Sequence, residues 1–413
     1  MKSEKPESNI SKELLQIAKQ QGLNIKGGKI RRTSSRFCLG VEHGDYNGTE
    51  LFGVGTDRFI WMAYKPNGTN QIRLYSHNFP DDGILEFCAG EIPPPRHPSI
   101  IDSWTRFPLG CVHILRKAGF KLETGFDAVL IGNIPGGGMS RSASLTLNLL
   151  LTLLEVNHLK LGKDKMQIID LAQAVETEYI GSPCGQLDQI MIYFAKAGMG
   201  THYNPSTRSI RYIPLGAKAP DFRIVSLDTA TVRPGLEKST YKHRRKECDE
   251  FAALAGRKFG FKKLAEVRDE ALYQKILATF GKSHPAHCDR LTYIYNAQKR
   301  FYKMLKAWRS GDIETVGAIF REDGLGLRDQ YKISGPELET MCNIARTVPG
   351  VYGERMLGGG DKGAAGAIVA AGSLKALHKA VNAGYPRSYP SLAEKYAVHS
   401  LTLVDGVTVF DSI

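Results

Sequence analysis

The chain lacks most of the features that assign a sequence to a class at a glance. Its 413 residues include only seven cysteines, at positions 38, 88, 111, 184, 248, 288 and 342. They are scattered, odd in number and nowhere spaced C-x-x-C, which argues against a disulfide framework or a structural zinc. Reduced thiols in a cytoplasmic compartment are the expectation. No apolar run reaches membrane-spanning length, and Met1 to Asn9 is polar, without a signal-peptide core. No G-x-x-x-x-G-K-[ST] occurs, so a Walker phosphate loop is excluded. Internal repeats and low-complexity tracts are missing too. No block is overwhelmingly basic; the densest is Lys242-His243-Arg244-Arg245-Lys246. Nucleic acid is therefore not the expected partner, and the net charge of +13 suits steering of an anionic substrate such as a nucleotide.

What is present suits a globular protein of two domains or three. Hydrophobic residues make up 42% and charged residues 23% of the chain. The most distinctive stretch is Gly132-Asn133-Ile134-Pro135-Gly136-Gly137-Gly138-Met139-Ser140-Arg141-Ser142-Ala143-Ser144. Leu145 to Val156 follows, apolar except for Thr146, Asn148, Thr152 and Glu155, and reads as a buried helix. Glycines let main chain approach an anion, and a helix start offers unpaired N–H groups with a positive dipole end. Ser140 and Ser142 add hydroxyls for a phosphate or a magnesium ion. On these residues alone, two readings stand: a phosphate loop, or a turn before a core helix.

A second polar cluster lies earlier, between expected strands at residues 29–63. Arg36, Glu42, His43 and Asp45 fall within ten residues, ahead of an Asn47-Gly48 turn signal. Carboxylates beside a histidine can hold several sugar hydroxyls in fixed geometry, or can simply face water in a loop. His284-Pro285-Ala286-His287-Cys288-Asp289 imitates a metal site, but it has no matching second half and reads as a polar connector.

Helical spacing marks residues 10–22, the segment near 103–118 (Trp104, Leu109, Val112, Leu115 and Ala118 inward), and 290–309. Met166, Ile169, Ala172, Val175 and Tyr179 share one helix with Glu176, and Gly181 to Gly185 breaks it. The polar, proline-containing residues 201–222 read as the domain crossover. The final residues, 373–413, give a helix and strands.

Ser35 to Gly48 resembles the galactokinase signature R-V-N-L-I-G-E-H-x-D-Y-N-G. Arg36, Leu39, Glu42, His43, Asp45, Tyr46, Asn47 and Gly48 match, while Phe37, Cys38, Gly40 and Val41 depart. The glycine-rich loop resembles the same family's P-x-G-x-G-L-S-S-S-A, one residue shorter, with Arg141 in place of the middle serine. Val175 to Gln189 is similar to A-E-x-x-F-x-G-x-x-C-G-x-M-D-Q, and Ser239 to Cys248 to S-x-Y-x-x-R-R-x-x-C. Leu327 to Leu338 resembles L-R-D-x-Y-x-V-S-x-P-E-L, but Asp323-Gly324 replaces the preceding family pair S-H. Val348 to Gly360 resembles V-P-G-V-Y-G-x-R-M-T-G-G-G, after which Asp361-Lys362-Gly363-Ala364 replaces F-G-G-C. These segments point to the GHMP superfamily of small-molecule kinases, on its galactokinase branch.

The resemblance implies an α/β (α+β) fold of two lobes, residues 1–216 and 217–413, with the active site in the cleft between them. It implies an ATP-dependent sugar kinase acting on the anomeric hydroxyl of galactose. A kinase for another hexose, an N-acetylhexosamine or a uronic acid stands as the alternative, as does a non-catalytic sugar sensor. In this reading Pro135, Gly136, Gly137, Gly138, Met139, Ser140, Arg141, Ser142, Ala143 and Ser144 cradle the ATP phosphates. Ser140 or Ser142, with Glu176, holds Mg²⁺. Asp188 accepts or orients the hydroxyl proton, and Arg36 stabilises charge on the transferring group. Glu42, His43, Asp45, Gly185 and Tyr241 bind the sugar. The partners expected are the sugar and ATP, without membrane or nucleic acid, and the chain is expected to be a monomer.

Overall fold

The computed structural model describes residues 8–232, 235, 238–411 and 413. Helix α1 (Ser8–Gln20) buries Leu14, Ile17 and Ala18, the apolar face of the stretch expected at 10–22. Strands β1 (Lys29–Gly40), β2 (Leu51–Pro66), β3 (Gln71–Ser76) and β4 (Ile84–Cys88) follow. Then come α2 (Arg106–Lys117), β5 (Phe126–Gly132), α3 (Arg141–Val156) and α4 (Gln167–Ala174). The last runs into a π-helical turn at Val175–Ile180. Helix α5 (Leu187–Tyr193) and the hairpin β6 (Met199–Asn204) and β7 (Ser209–Pro214) close the first half.

The second half begins with β8 (Phe222–Asp228) and a helical series: α6 (Thr240–Phe259), α7 (Glu270–Phe280), α8 (Pro285–Ser310), α9 (Ile313–Asp329) and α10 (Pro336–Arg346). It ends with β9 (Val351–Met356), β10 (Ala364–Ala370), α11 (Leu374–Ser388), β11 (Ala397–Leu401) and β12 (Val407–Asp411). The result is a mixed α/β fold with two sheets. The first has the order β12-β1-β2-β5-β3-β4, with β6 also on β2 and β7 beyond it. Strand β2 reaches both neighbours because it is long: Leu51–Gly53 pairs with β6, and Ile60–Pro66 pairs with β5. The second sheet has the order β11-β8-β10-β9 and is antiparallel throughout.

Three of the four polar breaks in the apolar run of α3, Asn148, Thr152 and Glu155, are ties to β1, as is Ser144 at the helix start. Asn148 donates to the Arg31 carbonyl at 3.1 Å, and Ser144 Oγ to the Thr33 carbonyl at 3.2 Å. Arg31 Nε donates to Thr152 Oγ1 at 3.0 Å and its guanidinium pairs with Glu155. Ser144, Asn148, Thr152 and Glu155 thus each meet a partner on β1, which offsets their desolvation. This fixes where α3 starts, and so where the glycine-rich loop sits.

Three details differ from the sequence expectation. Ala118 is exposed, because α2 ends at Lys117 and Ala118 caps it. His284 to Asp289 is not a loop: Pro285 opens α8, a position where its missing N–H costs nothing. Residues 201–222 hold the β6–β7 hairpin, which leaves only 215–221 as connector. The last strand, β12, returns to the first sheet, with Lys29 opposite Asp411 and Thr33 opposite Val407. Phe37 of β1 stacks on Phe320 of α9 at 5.3 Å, so side chains from both halves share one core.

Candidate active site

One cleft of about 370 Å³ is lined by Arg36 of β1, Asp188 of α5, Tyr241 of α6, the loop before α3 and the loop after β9. Arg36 is only 1% exposed, on a strand whose other residues fill the core. Its Nε donates to Asp188 Oδ1 at 2.8 Å, and Nη2 lies 2.6 Å from the same oxygen. Nη1 donates to the Gly138 carbonyl at 3.0 Å, and Nη2 stands 3.4 Å from Glu42 Oε1. Burial alone would lower the Arg36 pKa, but Asp188 and Glu42 outweigh it and raise it, so the guanidinium stays charged.

Glu42, His43 and Asp45 come from the turn after β1. The Glu42 carboxylate sits between two arginines, with Arg355 Nη2 3.1 Å from Oε2. Asp45 Oδ2 accepts from the Leu187 N–H at 3.0 Å, which ties the turn to the start of α5. Burial raises the Asp45 pKa, and the N–H groups of Leu187 and Tyr46 oppose the rise. Gly185 packs flat against this carboxylate: a Cβ there would lie 1.9 Å from Asp45 Oδ2. His43 Nδ1 bonds the Tyr46 hydroxyl at 3.0 Å, and its ring lies 5.2 Å from that of Tyr241. Tyr46 in turn bonds the Tyr331 hydroxyl at 2.7 Å. Side chains already locked by hydrogen bonds therefore form this end.

The other end is mostly main chain. Gly136, Gly137 and Gly138 line the cleft, and a Cβ on Gly137 would lie 2.6 Å from Gly363 Cα. Only glycine on both loops permits that approach. Ser140 stands before α3 in the left-handed region (φ 64°), and its Oγ is buried with no partner among the described residues. Ser142 Oγ donates to Glu176 Oε2 at 3.4 Å, and Gln189 Nε2 to Oε1 at 3.2 Å. Glu176 projects from the π-helical turn. Burial, with the Asp188 charge, pushes its carboxyl up to about 8 against those two hydrogen bonds.

The structure brings together Arg36, Glu42, His43, Asp45, Glu176, Gly185, Asp188, Tyr241, Pro135, Ser140, Arg141 and Ser142 on this cleft. Met139, Ala143 and Ser144 point away: all three are buried, and Ser144 serves Thr33. Arg141 folds back over its own loop, donating to the Gly136 carbonyl at 3.3 Å. Asp361 and Lys362 are not in the cleft lining. Asp361 Oδ2 accepts from the Thr240 N–H at 3.1 Å, capping α6 just ahead of Tyr241. Lys362 Nζ lies 3.6 Å from Glu337.

Sequence reading missed an apolar end formed by Ile60, Phe79, Trp104, Phe107, Leu130 and Ile131. Phe79 stacks on Trp104 at 6.2 Å and is 42% exposed, so the pair presents a flat aromatic face. Trp104 had a signal, but only as a core position on a helical face. Gly358 and Gly359 were missed as lining residues although their motif stood out.

A glycine-rich loop that faces a buried arginine–carboxylate pair, on this two-sheet fold, is the arrangement of a small-molecule phosphotransferase. Residues 106–196 match the family described as GHMP kinases N terminal domain. The galactokinase of Exiguobacterium sibiricum is 31% identical over 361 residues, covering 86% of this chain and 89% of that protein. The galactokinase of Streptococcus mutans is 30% identical over 354 residues, covering 85% and 87%. The crystal structure of Lactococcus lactis galactokinase complexed with galactose superposes with a TM-score of 0.85 at 25% identity, covering 97% of this chain and all of that one. The mevalonate kinase of Methanococcus jannaschii shares the fold, with a TM-score of 0.64 at 17% identity. The chain belongs to the galactokinase family of the GHMP kinases, sugar kinases that take their phosphoryl group from ATP. Among the described residues, no helix is long and apolar enough to cross a membrane.

Proposed function

We propose that the protein transfers the γ-phosphoryl group of ATP to the anomeric hydroxyl of galactose, giving galactose 1-phosphate and ADP. The observation that carries this reading is the Arg36–Asp188 pair, whose guanidinium also bonds the Gly138 carbonyl of the glycine-rich loop. One cation thereby joins the carboxylate that would take the hydroxyl proton to the loop that would hold the phosphates. Phosphoryl transfer needs positioning and charge neutralisation more than covalent help, and this arrangement offers both. Asp188 orients the hydroxyl and accepts its proton as the bond to phosphorus forms. Arg36 stabilises the charge that spreads over the transferring group.

Glu42, His43, Asp45, Gly185 and Tyr241 would bind the remaining sugar hydroxyls. A rigid set of partners tells epimers apart because a misplaced hydroxyl leaves a buried group unpaired. The main-chain N–H groups of the loop from Gly137 to Ser142 would surround the phosphates, and the Phe79–Trp104 face would take the base. The residues also fit a magnesium ion. Ser140 Oγ lacks a partner among the described residues, and Glu176 is a buried carboxyl whose ionised form a nearby cation would favour. Ser140, Ser142 and Glu176 would hold the ion, which supplies charge neutralisation for the phosphates.

We further read the chain as two lobes, 1–216 and 217–413, with β12 reaching back to the first. We place it in the cytoplasm as a monomer. Seven free cysteines suit a reducing compartment. Among the described residues the exposed large apolar side chains are Phe79, Tyr212, Val232 and Tyr302, which sit on separate elements. The test is ADP release with Mg-ATP across a panel of free sugars. Galactose should be the fastest acceptor, with phosphate on the anomeric oxygen. Saturable sugar binding without ADP release from any sugar would replace this reading with the sensor.

A further inference from the structure

The cleft pair Arg36–Asp188 is the last link of a longer series. Arg300, Asp323, Arg355, Glu42, Arg36 and Asp188 alternate in sign and touch in that order. Arg300 Nη2 lies 3.2 Å from Asp323 Oδ1, and the other Asp323 oxygen is bonded by Arg355 Nη1. Arg355 Nη2 lies 3.1 Å from Glu42, and Arg36 Nη2 lies 3.4 Å from Glu42 and 2.6 Å from Asp188. The inner members are sealed: the Arg355 side chain is 0% exposed, Glu42 3%, Arg36 2% and Asp323 6%. Asp188, at 35%, is where the series opens into the cleft. At the far end Arg300 reaches Glu322, 63% exposed, at 3.4 Å.

We infer that Asp323 is a positioning residue for the sugar, acting through Arg355 on Glu42. This rests on the proposed role of Glu42 at the sugar end. Three cations and three anions balance here, and a buried charge is tolerable only while its partners stay. Without the Asp323 charge, Arg355 has Glu42 as its one remaining anion. Glu42 then moves toward Arg355 and away from Arg36 and the sugar. Tyr293 stiffens the same link, its hydroxyl lying 2.9 Å from the Glu42 carbonyl and 3.4 Å from Asp323. The neighbouring Gly324 belongs to the device, since a Cβ there would lie 2.3 Å from the Arg355 Cβ. The Asp323-Gly324 departure from the family pair is thus one adaptation: glycine admits Arg355 against α9, and aspartate takes its guanidinium.

The test is galactose binding measured by calorimetry without nucleotide, beside the KM for ATP. Asp323→Asn should weaken galactose binding about tenfold and leave the KM for ATP within about twofold. In a Glu42→Gln background the same change should alter galactose affinity less than about twofold, because the link it works through is gone. Should Asp323→Asn not fold, Asp323→Ser, which carries the family residue, gives the same two readings. Unchanged galactose affinity, equal damage to both substrates, or additivity with Glu42→Gln would each overturn the relay. Wild-type turnover of galactose tests the proposed reaction separately, so either idea can fail alone.

Discussion

Around Asp45 the cleft wall consists of side chains held by directed hydrogen bonds, whereas around Gly137 it consists of main chain held by main chain. Asp45 is fixed by the Leu187 N–H and shielded by Gly185, and His43 is fixed by Tyr46, which is fixed by Tyr331. Gly137 is fixed by the closeness of Gly363, on a loop from the far half of the chain. The difference matches the two substrates. A sugar differs from its epimers by the direction of one hydroxyl, so its site needs acceptors at set angles. A triphosphate offers many equivalent oxygens, and a concave run of N–H groups meets them without choosing. Arg36 belongs to both ends, since it bonds Asp188 and the Gly138 carbonyl at once.

The largest expected effect falls at that junction. Asp188→Asn keeps the shape and removes the proposed proton acceptor, so kcat should drop by about 10³-fold or more while galactose binding changes little. Single-turnover rates with bound galactose check it. A variant within tenfold of wild type would mean that Asp188 only anchors Arg36, and the junction would then be electrostatic rather than chemical.

The two ends should separate under matched glycine substitutions. Gly137→Ala places a Cβ against Gly363 main chain, which cannot rotate aside, and should raise the KM for ATP by about 10²-fold. Gly185→Ala displaces the Asp45 carboxylate and should raise the KM for galactose by about 30-fold, with the KM for ATP nearly unchanged. The second effect is smaller because a carboxylate can turn where main chain cannot. Crossed results, with Gly137→Ala hurting galactose, would show that the ends are mechanically one.

The same contrast explains what the sequence made legible. Arg36, Glu42, His43 and Asp45 carry their chemistry in the side chain and stand close together, so type and spacing could mark them as a cluster; Glu176 and Asp188 are singled out by the family resemblance, and all six reach the cleft. Loop positions could be nominated only as a block. Met139, Ala143 and Ser144 carry no mark that distinguishes them from Ser140 and Ser142, yet Met139 is buried in the loop and helix phase turns Ala143 and Ser144 to the core. The approach of Gly137 to Gly363, and the Arg355–Glu42 and Arg36–Asp188 links that complete the series from Arg300, join positions more than a hundred residues apart, which no local pattern encodes. The return of β12 to β1 is unreadable for the same reason: its alternation marks a strand without naming its neighbour.

The smallest expected effect concerns Arg141, the one long cation in the glycine-rich loop. Its Nη2 donates to the Gly136 carbonyl at 3.3 Å, and it feels Asp228, which also accepts the Gly136 N–H. The guanidinium thus closes its own loop into a ring through the Gly136 carbonyl. Arg141→Ser opens that ring while Asp228 still holds Gly136, so one hydrogen bond is lost and the loop keeps its path. A fivefold rise in the KM for ATP, on the order of 1 kcal/mol, is the expected cost, with kcat and galactose binding unchanged. A rise of 10²-fold would mean that the side chain leaves Gly136 and clamps phosphate directly, so that the phosphate end also depends on a side chain. A gain in kcat would mean that the arginine crowds the phosphates, and the closed ring would then be a brake on the enzyme. Titrating ATP at saturating galactose separates the three outcomes, because only the first moves KM modestly and leaves kcat alone.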